Sequence, residues 1–273
     1  MSGLASRHAL LLVSALVFAL NFNTGVAAQR GYVPVLQDGP GIWQGPFGVV
    51  FPPVPGSALP MWQDPSRPLI AGRTWHIADL SNPNLKQWAK DFMKKEIEEI
   101  DRGKIQLTPS SSCLPTGVPN FLGDGGPFLI VQAPDKVVIM DEAGPVVRHI
   151  YLNVPHSRNP KPSWMGESVG WYEGDTLVID TIGMNTKTPA DRFGTPHTEK
   201  LHVVERWRVV EQGLTLRVDV TVDDPDTFYQ PWKTYQVYRR SNRPLEVEVC
   251  AENNLQFDYH MPVAEKPDFW SVK

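Results

Sequence analysis

Leu214-Thr215-Leu216-Arg217-Val218-Asp219-Val220-Thr221-Val222-Asp223 alternates apolar and polar side chains along its whole length. A period of two puts Leu214, Leu216, Val218, Val220 and Val222 on one face and the polar residues on the other. The segment therefore predicts a strand with one side in a core and one in water. Immediately upstream, Leu201–Val210 has the same period, and Glu211-Gln212-Gly213 between them is a tight turn, so the two strands are expected to be antiparallel.

Working outward, period-two segments recur at Phe128–Gln132, Lys136–Asp141, Val146–Val154, Ser168–Tyr172, Thr176–Met184, Trp232–Arg240 and Leu245–Cys250. Turn signals at Asp141-Glu142-Ala143-Gly144 and Glu173-Gly174-Asp175 separate some of them. About eight or nine strands in succession predict a mainly β protein, an antiparallel up-and-down barrel, because closing the sheet on itself removes exposed edges. A barrel of that size can hold one small ligand.

The first half of the chain reads differently. Gly31 to Arg73 is broken by Pro34, Pro40, Pro46, Pro52, Pro53, Pro55, Pro60, Pro65 and Pro68, with Trp43, Phe47, Phe51 and Trp62 between them. That spacing excludes long regular structure, while the aromatics argue for an arm packed along the body. A helix is expected next, with Asn82 as N-cap, Pro83 in its first turn and Leu85, Trp88, Phe92, Met93, Ile97 and Ile100 at helical spacing. Gly103 is its stop, and Lys94, Lys95, Glu96, Glu98 and Glu99 form its solvated face.

Arg7 and His8 precede an apolar run from Ala9 to Leu20 and the small-residue sequence Val26-Ala27-Ala28, which reads as a secretory signal peptide cut before Gln29. The expected product is exported, periplasmic or secreted, and has no transmembrane span after processing, since no other apolar run approaches spanning length. The domain boundaries follow: 1–28 signal peptide, 29–112 arm and helix, 113–254 barrel, 255–273 tail.

In the 273-residue chain, 26 lysines and arginines stand against 30 acids. Arg7 is the only charged residue in the first 28, so the processed chain goes from −4 to −5. That balance argues against nucleic acid as a partner, since binding it requires a basic surface that displaces counterions. Together, 26 prolines and 21 glycines exclude a long helical bundle. Export favours pairing of the two cysteines, and Cys113–Cys250 is the one bridge the chain can make within itself. It would close a loop of about 138 residues, worth on the order of 5 kcal/mol of chain entropy. Two separate buried thiols are the alternative.

The run Trp164-Met165-Gly166-Glu167-Ser168-Val169-Gly170-Trp171-Tyr172-Glu173-Gly174-Asp175-Thr176-Leu177-Val178-Ile179-Asp180 is followed by Pro196-His197-Thr198-Glu199, Leu201-His202-Val203-Val204-Glu205-Arg206, Asp224-Pro225 and Pro231-Trp232. Over about residues 113 to 254, including Cys113-Leu114-Pro115 and Cys250 through Asn254, this pattern resembles an uncharacterised family of exported bacterial proteins. The resemblance brings no activity with it. The strand succession is also similar to lipocalin-like barrels at the level of pattern, and a fold does not fix a function.

Candidate chemistry centres on Leu201–Val210. Leu201, Val203, Trp207 and Val209 share a face with Glu205, placing a carboxylate among apolar groups, where it could serve as an acid or base. Pairing with a buried arginine such as Arg148 is the structural alternative. His202 and Arg206 fall on the opposite face unless a bulge turns His202 inward. Asp180, on the face of Val178 and Ile182, is a second candidate acid, with pairing to a backbone amide or Arg206 as its structural alternative. His156, His197 and His202 are candidate proton carriers; the same three admit a divalent metal, although they lack the tight spacing of a zinc motif, and no other cofactor is expected. Trp164, Trp171, Trp207, Arg148, Glu252 and Asn253 are candidate ligand-binding residues. No nucleophile elbow, phosphate loop or dinucleotide fingerprint occurs.

These readings support an exported enzyme holding a small, largely apolar or aromatic molecule in the barrel and moving protons in a hydration, isomerisation, elimination or hydrolysis. A non-catalytic carrier with the same pocket and an envelope interaction module are the competing classes.

Overall fold

The computed structural model describes residues 41–46, 50–67, 76–104, 108–142, 146–246 and 249–250. The signal-like start, much of the arm, Ala143 and Gly144, Glu252, Asn253 and the 255–273 tail lie outside the described residues.

Nine strands form a closed barrel in chain order: β1 (Ile42–Gln44), β2 (Phe128–Gln132), β3 (Lys136–Asp141), β4 (Val147–Leu152), β5 (Glu167–Glu173), β6 (Thr176–Ile182), β7 (His202–Val210), β8 (Thr215–Asp223) and β9 (Trp232–Ser241). Among the described residues the expected mainly β barrel with one α-helix is therefore observed. On β8, Leu216, Val218, Val220 and Val222 are almost completely buried. Each such side chain contributes about 1.5–3 kcal/mol relative to leaving it in water. Leu214 departs from the expected alternation: it precedes the strand, in the turn after Glu211–Gly213, and is 60% exposed.

Two features of the sheet differ from a simple meander. First, the proline-rich arm supplies β1, which pairs antiparallel with both β2 and β9 and so closes the barrel. Gly45 follows it because a Cβ there would meet the Tyr238 ring at 2.7 Å. Second, β4 and β5 are parallel, with Ile150 opposite Ser168 and Leu152 opposite Gly170. The cause is the connection 153–166, which is too long for a hairpin and carries the chain back before β5 begins. Gly170 sits at this joint, and a Cβ would meet Ile150 Cγ2 at 2.8 Å and the Val178 carbonyl oxygen at 2.9 Å. The expected strand at Leu245–Cys250 is absent at Leu245 and Glu246.

The helix α1 is Gln87–Asp101, later than expected, and Lys86 rather than Asn82 is its N-cap. Asn82 instead accepts a hydrogen bond from the Asn84 amide at 2.9 Å and donates to the Pro60 carbonyl at 3.2 Å. Asn84 in turn pairs with the backbone of Gln230 through both ends of its side-chain amide. This polar stapling, with the Leu85–Phe228 bridge, holds residues 82–85 in a turn and delays the helix. Ala89 and Met93 face the core, whereas Trp88 is at the surface and donates its indole N–H to the Asp226 carbonyl.

Residues 116–126 pack against the inner face of the barrel and are buried throughout. They include a short 3-10 helix, Asn120–Gly123. The Phe121 ring lies 5.2 Å from the Arg148 guanidinium carbon, and the Leu122 carbonyl accepts a 2.6 Å hydrogen bond from the Tyr238 hydroxyl. The segment is held at its start by the Cys113–Cys250 disulfide, as expected.

Candidate functional site

Strand parity carries Glu205 inward, as the sequence indicates. There it is fully buried, and Arg148 holds it through both guanidinium termini: Nη1 donates to Oε1 at 3.0 Å and Nη2 to Oε2. Arg148 also donates from Nε to Ser168 Oγ at 3.1 Å and from Nη2 to Thr181 Oγ1 at 2.8 Å. This is the structural alternative for Glu205: a carboxylate neutralised by a fixed cation, with the polar groups between them satisfied. None of the three candidate histidines is among its hydrogen-bond partners. Trp207 is likewise fully buried, with Phe128 edge-on at 5.8 Å, and belongs to the core.

On the outer wall three of the candidates do meet. The register places Asp180 opposite Val204 and continues unbroken from His202 opposite Asp223 to Val210 opposite Thr215, so His202 stays on the outer face without a bulge. Asp180 Oδ1 accepts hydrogen bonds from His156 Nε2 at 3.0 Å and His202 Nε2 at 2.9 Å. The other nitrogen of His156 faces Glu167 Oε1, also at 3.0 Å. Glu167 accepts two further bonds from Ser157, one from its amide and one from its hydroxyl, both at 2.7 Å. The result is a continuous line, Glu167, His156, Asp180, His202, running from the crossover loop onto three adjacent strands.

Its electrostatics are mutually consistent. Burial alone would push the Asp180 carboxyl up, but the hydrogen bonds and charges of His202 and His156 outweigh it and hold the group below its ordinary range. Glu167 is likewise held down by Ser157 and His156 against its burial. The hydrogen bond to Asp180 raises His202; burial opposes this, and the charges of Asp180 and Asp223 add to it. Ionised carboxylates only accept hydrogen bonds, so His156 makes both of its contacts at once only with a proton on each ring nitrogen.

The remaining candidates lie elsewhere. His197 is buried, donating from Nδ1 to the Thr198 carbonyl at 2.9 Å, and burial pushes its imidazole down. It is not part of the outer line. Among the described residues no group of three or more His, Cys, Asp or Glu is arranged to hold a metal ion. Arg206, offered as a partner for Asp180, pairs with Glu173 instead. Trp171 is 36% exposed on the outer wall and donates to Glu173 Oε1, while Trp164 lies under Lys187 Nζ at 5.8 Å.

Sequence reasoning missed Glu167 and Ser157, and it missed the buried polar residues Asp124, Asp191, Arg192 and Asp224. Arg192 pairs with Asp124, which also accepts from Thr116, and burial still raises that carboxyl. Asp191 is raised by burial and serves the Phe193 and Thr195 amides. Asp224 gathers the amides of Thr198 and Asp226 and the hydroxyls of Thr198 and Thr227. A short polar residue near threonine and proline is the signal Asp191 and Asp224 share, since such residues order loops by capping backbone N–H groups.

No helix among the described residues is long and apolar enough to cross a membrane. No family model, curated protein or solved structure matches this chain.

Proposed function

We propose that this chain is an exported enzyme that binds a small, largely apolar or aromatic molecule against the outer wall of the barrel and moves protons through Asp180, His156 and His202. One observation carries the reading: two imidazoles converge on a single carboxylate oxygen, and one of them, His202, has a side chain 40% exposed. A carboxylate behind an imidazole fixes its orientation and strengthens it as a base, which general acid–base catalysis requires. Ile182 and Val204, half-buried beside Asp180, provide apolar surface for the molecule. The reaction class stays within hydration, isomerisation, elimination and hydrolysis, and the reading needs no cofactor. The signal-like start and the disulfide support export.

The test uses 5-nitrobenzisoxazole, a small aromatic whose ring opens when a base removes its C3 proton. The proton passes to the base, the N–O bond breaks, and its electrons leave as the coloured phenolate. The expected result is turnover above buffer that rises with pH to a plateau and is lost in His202→Asn and Asp180→Asn. Turnover no faster than buffer, or turnover indifferent to His202→Asn, overturns the reading.

One observation favours a second reading, a non-catalytic binding or carrier protein: Glu205 is already neutralised by Arg148. Native mass spectrometry of protein from the exported fraction, showing a bound small molecule together with no turnover, would favour it.

A further inference from the structure

The outer wall of the barrel is not uniform. On β7, β8 and β9 it is charged on every strand, through Arg206 and Arg208, Arg217 and Asp219, Lys233 and Arg239. On β2, β3 and β4 strand parity sends Phe128, Ile130, Val137, Ile139 and Ile150 into the core and leaves a different set outside. The register stacks Leu129, Met140 and Val147 in one row and Val131, Val138 and His149 in the next. Val131, Val147 and Tyr151 are 39%, 51% and 50% exposed. Lys136, opposite Tyr151 at the strand end, is the one outward side chain with a fixed charge on these three strands. A contiguous apolar face of this kind is unfavourable in water and marks a contact site.

We propose that the outer face of β2–β4 is the centre of a symmetric contact between two copies of this chain. Size and charge select that occupant. Adjacent strands are about 4.8 Å apart and outward residues about 6.8 Å apart along each, so the face measures roughly 250 Å² in plan. That is about a third of the roughly 800 Å² each partner gives to a stable complex, which suits the apolar centre of an interface with a polar rim. A single extended segment is only about 5 Å wide and would cover one of the three strands. A second copy brings a face of the same size and equally free of charge, and a two-fold axis pairs the two without setting like charges together. Burying the β7–β9 wall would instead desolvate an arginine on every strand. Tyr151 is the anchor: its ring stacks on His149 with centroids 6.4 Å apart, so it is held in place before a partner arrives. The contact joins sheet faces and uses no unpaired strand edge.

Sedimentation equilibrium of disulfide-intact protein from the exported fraction, between about 1 and about 100 µM, tests the contact without any variant. The expected result is twice the chain mass at the upper end of the range. Val147→Glu sets a carboxylate in the apolar centre and is expected to weaken association at least tenfold, whereas Arg208→Glu on the charged wall leaves it unchanged. Val147 points away from the core, so far-ultraviolet dichroism of that variant is expected to match the wild type. Acetylimidazole, which acetylates tyrosine hydroxyls, gives a second readout: at the upper concentration Tyr151 is expected to react severalfold faster in Val147→Glu than in the wild type, with Tyr235 on β9 reacting equally in both. A wild-type chain of single mass throughout overturns the proposal and leaves the face to another segment of the chain or to a different protein. So does association undiminished in Val147→Glu, or Tyr151 acetylation the same in both chains, since either would place the contact elsewhere. No activity is measured, so failure of the 5-nitrobenzisoxazole test and failure of this one are separate results.

Discussion

Arg148 on β4 reaches past Ser168 of β5 and Thr181 of β6 to grip both carboxylate oxygens of Glu205 on β7, spanning four strands of the barrel interior in one buried network. Both charges are almost completely removed from water, so each is tolerable only because of the other.

Glu205→Gln is therefore expected to destabilise the fold by about 3–5 kcal/mol, because it leaves a buried guanidinium without its counter-charge. Arg148→Met together with Glu205→Leu is expected to recover much of that loss. Urea unfolding of the single and double variants checks both. A Glu205→Gln chain as stable as the wild type would show that the pair is not structural.

The outer line gives stability a pH dependence with two arms. His202 is raised in the folded state, so its contribution is complete below its ordinary value of 6.5 and disappears as pH rises through the folded value. Asp180 and Glu167 are lowered, so theirs is present above 3.8 and 4.5 and is lost as pH falls through the folded values. Because His202 is substantially exposed, its arm is expected to amount to about 1 kcal/mol or less. His202→Asn should flatten the alkaline arm of unfolding free energy against pH and weaken the part of the acid arm that Asp180 supplies, leaving the part from Glu167 in place.

Removing the disulfide by Cys113→Ser with Cys250→Ser frees a loop whose ends are 137 residues apart in sequence. The chain-entropy cost is about 5 kcal/mol, which guanidinium unfolding with and without reductant would read as a large drop in midpoint for the wild type and none for the double variant.

Gly170→Ala places a methyl against Ile150 Cγ2 and the Val178 carbonyl oxygen at the parallel joint. Overpacking of this kind costs about 1–3 kcal/mol, and a thermal midpoint unchanged from wild type would show that β4 and β5 separate easily.

What the sequence made legible was decided by local pattern. The alternation of β8 and the inward parity of Glu205 survive in the structure because one face of each strand is buried, and a slip of one residue would reverse every side chain. Arg148 could be named as a partner for the same reason. The parallel joint was not legible, since period two carries no strand direction. Strand β1 was hidden because three residues between Gly41 and Gly45 are too few to show a period. The meeting of His156, Asp180 and His202 depends on the register of β6 against β7 and on the path of the crossover, neither of which is encoded within a single segment. Asn82 and Pro83 carry the local pattern of a helix start, but the helix begins at Gln87, because the tertiary bonds of Asn82 and Asn84 took those residues for another use.

Closure of the barrel depends on its shortest strand. Ile42–Gln44 is joined to β2 through two residue pairs and to β9 through three, against nine between β7 and β8. A protease cut within the arm that frees this strand would convert a sheet without ends into one with two, and would bare unpaired amides and carbonyls on β2 and β9. Such edges recruit strands from other molecules. The arm thus protects the protein from self-association, and clipped material is expected to be lost to aggregates rather than to persist as a shortened monomer.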